Sequence, residues 1–343
     1  MTDLASSPSH LPAAGGGRHL LEVRDLQVEF RARHGVVNAV NGLSYHLDQR
    51  ETLAILGESG SGKSVSAQAI MGIIDSPPGF ITGGEILYQG EDLLTMPEAD
   101  RRRIRGQRIA IVFQDALTAL NPVFTVGWQV AEMFRVHGGA SKSEARAKAV
   151  ELMERVRIPH AHERINDYPH QFSGGMRQRV MIAMALTMDP DILIADEPTT
   201  ALDVTVQAQI MRLLADLQAD TGMGLILITH DLGVVADVAD RVAVMYAGEI
   251  VETGSIYDVY ARPAHPYTKG LMHSVPRADL KGQPLEPITG APPDLAHIPT
   301  GCPFHPRCPY MRDRCRSDVP PLREVGGGRY SACHYSEEVL ADG

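Results

Sequence analysis

Four short, unbroken apolar blocks punctuate the chain: Leu53-Ala54-Ile55-Leu56, Ile109 to Phe113, Ile192-Leu193-Ile194-Ala195 and Leu225-Ile226-Leu227-Ile228. Runs this short and this apolar suit strands buried on both faces of a parallel sheet. Helical spacing follows the first block, with Val65, Ile70, Met71 and Ile74. It returns at Val180, Ile182 and Ala183, and from about Val206 to Ala219. Strand and helix in alternation predict an α/β architecture. Ahead of the first block the period changes to two. Leu21, Val23, Val28 and Phe30 lead through a turn at Arg33-His34-Gly35 to Leu43, Tyr45 and Leu47. That pattern predicts a small antiparallel sheet. Pro77-Pro78-Gly79 breaks the chain, and Ile81 to Gly90 reads as a hairpin strand.

Residues 98–106 carry Arg101-Arg102-Arg103 and Arg105 beside Glu98 and Asp100, the mixed charge of a solvated helix face. Residues 125–190 lack strand runs and read as a helical segment, with Ser141-Lys142-Ser143-Glu144 as a capping box. Val242 to Met245, Gly248 and Ile250-Val251 make a closing hairpin. From about residue 258 prolines recur and strand signal fades, so an extended appendage with little core is expected. Residues 1–19 are rich in Ala, Ser, Pro and Gly and read as a disordered tail.

At 343 residues there is room for one large domain and an appendage. A net charge of −10 argues against a broad nucleic-acid surface. No window approaches the roughly 18 apolar residues of a bilayer span. No charged n-region precedes an apolar h-region at the N-terminus, so a cytosolic chain is expected. There a cluster of four cysteines favours metal over disulfides.

Gly57-Glu58-Ser59-Gly60-Ser61-Gly62-Lys63-Ser64 has the spacing of a phosphate-binding P-loop, between a strand and a helix. Its glycines let backbone N–H groups turn around an anion at a helix N-terminus. Lys63 is expected between the β- and γ-phosphates, and Ser64 on Mg²⁺. Gln114 ends the second block, at the strand edge where open α/β sheets bind ligands. Its amide suits Mg²⁺ or the attacking water; the alternative is a turn hydrogen bond. Asp196-Glu197 ends the third block. Two adjacent carboxylates repel unless a cation lies nearby, so Asp196 is assigned to Mg²⁺ and Glu197 to general-base work. His230 ends the fourth block and is a candidate γ-phosphate contact. Ser173 precedes Gly174-Gly175 and a helical run, an N-cap with room for a phosphate. Phe30 either stacks on an adenine or packs in the core.

The ordered set of P-loop, Gln114, Ser173-Gly174-Gly175, Asp196-Glu197, Ala201-Leu202-Asp203 and His230 resembles the ATP-binding subunits of ABC transporters. The resemblance covers about residues 20–257 and implies a P-loop NTPase core of ABC type with an antiparallel β subdomain and a helical subdomain at about 125–190. Phe172 to Ala183, Leu120 to Gly127, His265-Pro266-Tyr267-Thr268 and Pro299 to Cys308 are similar to the dipeptide, oligopeptide and nickel importers. That extends the resemblance into residues 258–343. Met176 departs from the commonest ABC signature but matches these importers, and Asp115-Ala116 departs in the loop after Gln114.

The resemblance implies an ATPase that powers peptide uptake at the cytoplasmic face of a membrane. Two ATPase chains, the second a related chain, sandwich two ATP molecules head to tail. Each site uses the P-loop, Gln114, Asp196, Glu197 and His230 of one chain and Ser173, Gly174 and Gly175 of the other, with Asp203 nearby. Two membrane permeases and an extracytoplasmic substrate-binding protein complete the assembly, and no nucleic acid takes part. The alternative is a soluble ABC ATPase acting on nucleic acid or ribosomes. The acidic balance and the single cassette stand against it.

Cys302, Cys308, Cys315 and Cys333 are spaced more widely than the pairs of most zinc sites. Cys302-Pro303 and Cys308-Pro309 are similar to cluster-binding Cys-Pro pairs in ferredoxins. The importer resemblance also implies a [4Fe-4S] cluster on these four thiolates. Zinc, with His305 or His334 as substitute ligand, and unligated cysteines are the alternatives. Arg307, Arg312 and Arg314 are expected to offset cluster charge.

Overall fold

The computed structural model describes residues 19–32, 35–115, 119–200, 202–274 and 288–342. The expected tail up to residue 18, Arg33 and His34 of the first turn, Ala116, Ala201, Pro276, Pro284 and Pro287 lie outside the described residues. In chain order the elements used below are β1 (Leu21–Ala32), β2 (Gly35–Leu47), β3 (Thr52–Leu56), α1 (Lys63–Met71), β4 (Gly79–Tyr88), β5 (Glu91–Asp92), α2 (Glu98–Ile104) and β6 (Ile109–Val112). Then come α3 (Val126–Gly138), α4 (Lys142–Arg155), α5 (Gly174–Ala185), β7 (Ile192–Asp196), α6 (Val204–Thr221), β8 (Gly224–Thr229), β9 (Arg241–Tyr246), β10 (Glu249–Ser255), α7 (Pro266–His273), β11 (Arg323–Gly326) and β12 (Arg329–Ser331).

The chain divides into two compact units. The first gathers the described residues of Met1–Asp48, Thr52–Thr95 and Thr229–Gly343. It holds an antiparallel sheet in the order β2-β1-β4-β5. Leu21, Val23 and Val28 of β1 point into its core and face Leu47, Tyr45 and Val40 of β2. This is the small sheet that the period of two predicts. A second set of strands runs β11-β12-β10-β9-β3. The β3 block is buried at all five positions and pairs in parallel with β9, Leu53 opposite Arg241 and Leu56 opposite Val244.

The C-terminal region contains more strand than its sequence suggests. The β12 strand pairs with β10, Glu252 opposite Ser331 and Thr253 opposite Tyr330. Gly326, Gly327 and Gly328 all have positive φ and make the β11–β12 turn. Strands of four and three residues with polar, half-buried side chains leave too little periodicity to read.

The second unit comprises Gln49–Glu51 and the described residues of Met96–Ile228. Its strands run β8-β7-β6. The central β7 is parallel to both neighbours and buried at all five positions. Helices supply the rest. On α4, Ser141 and Glu144 form the expected reciprocal capping box. Charged α2 buries no residue, as a solvated face requires. On α6, Ile210, Met211, Leu213, Leu214 and Leu217 form the buried stripe. Among the described residues no helix is long and apolar enough to cross a membrane.

Candidate functional site

The P-loop begins where β3 ends. Gly62 stands at φ 101 as the residue before α1, and a Cβ there would collide with the Ala39 carbonyl. A Cβ at Gly57 would meet the Met245 carbonyl, so backbone closes on the loop from both sides. Lys63 is 5% exposed, and its Nζ donates to the carbonyls of Gly57 at 2.8 Å and Glu58 at 2.9 Å. The ammonium is thereby held over the loop. Ser61 Oγ is buried and has no hydrogen-bond partner among the described residues. A buried hydroxyl without a partner, on a P-loop, is a donor suited to a phosphate oxygen. Ser59 and Gly60 are exposed at the loop's tip, and Ser64 is half-buried on the first turn of α1. Phe30 is half-buried on β1, opposite Val37 and Gly79.

In the second unit, Asp196 is buried at the carboxyl end of β7. Glu197 follows at φ 46, a left-handed conformation that costs a residue with a Cβ. Its N–H donates to the Ile228 carbonyl at 2.8 Å, which fixes the turn. Its Oε2 accepts from Gln114 Nε2 at 2.8 Å and from Thr200 Oγ1 at 2.9 Å. Gln114 and Glu197 are thus brought together across 83 residues of sequence. Two donors on one oxygen fix the orientation of the carboxylate. Thr200 was missed by the sequence reading; its hydroxyl three residues after Glu197 is the signal that was available.

Ser173 caps α5 and accepts from Met176 N at 3.3 Å, as expected. The two glycines have a packing reason too. A Cβ on Gly175 would stand 2.5 Å from Val206 Cγ1, and one on Gly174 3.1 Å from Leu202 Cδ2. Asp203 caps α6, accepting from Val206 N at 3.0 Å. In the first unit, His230 is exposed just past β8, and Asp231 accepts from Gly233 N at 3.0 Å to start the next turn.

Residues 40–200 match the model of the ABC transporter family, and residues 251–315 match that of the oligopeptide/dipeptide transporter C-terminal region. The oligopeptide transport ATP-binding protein OppD of Bacillus subtilis is 52% identical over 312 residues, covering 91% of this chain and 87% of the relative. The chain belongs to the ABC transporter ATP-binding proteins, in their oligopeptide/dipeptide branch. The dipeptide transport ATP-binding protein DppD of Bacillus subtilis is 54% identical over 301 residues, 88% of this chain and 90% of the relative. A solved dimeric structure of the ATP-binding cassette MJ0796, in a post-hydrolysis state with ADP and Pi, matches with a TM-score of 0.61 at 28% identity. It covers 69% of this chain and 98% of that one. The fold is therefore the ABC ATPase fold, and the chain is an ATP-binding, ATP-hydrolysing transporter subunit. The nucleic-acid alternative is not favoured by any of these relatives.

In this ABC ATPase the four cysteines come together. Cys302, Cys308, Cys315 and Cys333 line one pocket, and none is in a disulfide. Burial pushes the Cys302 thiol up to about 11 and the Cys308 thiol up to about 12. No three of these sulfurs lie within 4.8 Å of one another. Four thiols on one pocket are the donor set of a thiolate-bound metal ion or cluster.

The three arginines expected near the cysteines all make ion pairs. Arg307 pairs with Glu58, Arg312 with Glu338 and Arg314 with Asp318, so each already has a carboxylate partner. One further set of ligand-type atoms, on His19, His46 and Asp48, clusters on the first sheet. The two imidazoles stack at 4.0 Å with 27° between their planes, and His19 Nδ1 bonds Asp48 at 2.6 Å. Nitrogen lone pairs lie in the ring planes, so stacked rings do not converge on one ion.

Proposed function

We propose that this ABC ATPase drives uptake of di- or oligopeptides through a membrane importer, by closing on ATP with a second ATPase chain. The observation that carries the catalytic part is the Glu197 carboxylate, held on one oxygen by Gln114 and Thr200 at 2.8 and 2.9 Å. In this reading the Glu197 carboxylate takes the proton of the attacking water. The P-loop, Gly57 through Ser64, binds the phosphates; Lys63 carries the positive charge. Ser64, Gln114 and Asp196 are the residues offered to Mg²⁺, which neutralises the phosphates when bound. His230 contacts the γ-phosphate and Phe30 the base. Ser173, Gly174 and Gly175 serve the partner chain's nucleotide, with Asp203 beside them. The dimeric state of the MJ0796 cassette supports the two-chain reading, and the OppD and DppD relatives support peptide as cargo.

The partners are the second ATPase, a copy or a relative, two permeases at the cytoplasmic face and an extracytoplasmic binding protein. Cys302, Cys308, Cys315 and Cys333 hold a [4Fe-4S] cluster that folds the C-terminal region, with zinc as the competing occupant. Iron and sulfide assays on anaerobically purified protein decide between them.

The test of the catalytic assignment is Glu197→Gln. The amide keeps an oxygen for Gln114 and Thr200 but has no basic atom. Turnover should fall about 10²–10⁴-fold with ATP binding intact. Turnover near the wild-type rate would show that another group is the base.

A further inference from the structure

The one acidic residue in the P-loop is Glu58, and its partners come from the C-terminal region. Its carboxylate accepts from both terminal nitrogens of Arg307, at 2.6 and 3.0 Å. Its backbone N–H donates to the Tyr267 hydroxyl at 2.8 Å. All of these residues lie in the first unit. The Arg307 side chain is only 5% exposed, whereas Glu58 is 26% exposed. The guanidinium lies 5.9 Å from the ring centroids of both Tyr246 and Phe304. Those rings and Tyr267 pack on one another at 4.6 to 5.4 Å. Arg307 Nε also donates to the Thr289 carbonyl at 3.2 Å. Bidentate pairing, stacking and a backbone anchor leave the guanidinium one position to occupy.

We propose that Arg307 and Tyr267 are positioning residues for ATP, which fix the second residue of the P-loop and cancel its charge. This rests on the reading that the P-loop binds ATP. Two physical effects follow. A carboxylate without its partner stands within the loop that must accept a polyanion, and like charge opposes binding. A loop whose second N–H has lost its acceptor samples other turns, and donors that must reorder cost affinity. Both effects act equally on bound ATP and on the transition state, so the KM for ATP should rise while kcat is kept.

The experiment titrates a fluorescent ATP analogue into the full chain, with Lys63→Ala as control, and follows with steady-state turnover. Arg307→Gln should weaken affinity about tenfold, about 1.4 kcal/mol. Arg307→Lys, with one contact in place of two, should fall between. Glu58→Gln removes the charge that Arg307 cancels, so adding Arg307→Gln to it should weaken binding by less than about threefold. Tyr267→Phe deletes one hydroxyl and keeps the ring, so it reports on the clamp even if Arg307→Gln does not fold; it should weaken affinity several-fold. Wild-type affinity in both Arg307→Gln and Tyr267→Phe overturns the proposal. So does a full tenfold effect of Arg307→Gln in the Glu58→Gln background, because Arg307 would then act elsewhere. If Lys63→Ala itself binds ATP normally, the P-loop reading has failed and not the clamp alone.

Discussion

Gly175→Ala opposes two well-sized effects on one atom. Gly175 lies in the first turn of α5, where alanine is the better helix former by about 1 kcal/mol. Propensity alone therefore predicts a more stable protein. The added Cβ, however, would come to 2.5 Å from Val206 Cγ1, against the 3.5–4.0 Å of ordinary carbon contact. Val206 is on α6, and a β-branched side chain in a helix has one strongly preferred rotamer. It cannot simply swing aside, so the helices must separate by a few tenths of an ångström or more. Overpacking of this kind costs about 1–3 kcal/mol, so the clash should win by up to about 2 kcal/mol. In a unit of this size that lowers the melting temperature by up to about 8 °C. Val206→Ala removes the opposing methyl. The double variant should melt above Gly175→Ala alone and keep the propensity gain. Scanning calorimetry on the three variants reads all of this. A Gly175→Ala protein that melts at or above wild type refutes the reasoning.

Gly62→Ala should abolish binding of the fluorescent ATP analogue, because φ 101 and the Ala39 carbonyl leave no room for a methyl group; retained binding would contradict the loop geometry. Thr125 caps α3, accepting from Trp128 N at 3.3 Å, and Thr125→Ala should cost about 1 kcal/mol, read in urea unfolding by tryptophan fluorescence. His265 is fully buried, and burial pushes its imidazole down to about 3. An unfolded histidine takes up a proton near 6.5, so its stabilising share is complete above that pH and lost as pH falls toward about 3. Exchange-rate mapping of α7 between pH 7 and 4 should show weakening protection, and His265→Gln should flatten that dependence.

Much of the architecture was legible because buried parallel strands carry their own signal. All four apolar blocks form strands, because runs buried on both faces leave no polar residue to interrupt them, but the second stops at Val112: Phe113 lies past β6 and is exposed. Caps at Ser141 and Ser173 were legible for a similar reason: the chemistry is local and spans three residues. The C-terminal region was not. Its hairpin is short and polar, and its order comes from contacts far away in sequence. Arg307 illustrates the difference. Beside Cys308 it read as a counter-charge for a cluster, yet its carboxylate partner lies 249 residues earlier. Nothing in local spacing encodes that pairing. Tyr267 was visible only inside a motif, with no sign that its hydroxyl serves the P-loop. Asp203 was selected as a nucleotide neighbour, while locally it is an ordinary helix cap.

The account stands most directly on a mixing assay. Chains with Lys63→Ala lack the phosphate grip, and chains with Ser173→Arg lack the donor end of α5. Each preparation alone should turn over ATP slowly at any concentration. Mixed in equal amounts, they should recover about a quarter of the wild-type rate, because half of the random dimers then contain one intact composite site of two. A mixture no faster than its parts would mean that the second chain is a relative and not a copy, and a Ser173→Arg chain that works alone at the wild-type rate would contradict the account.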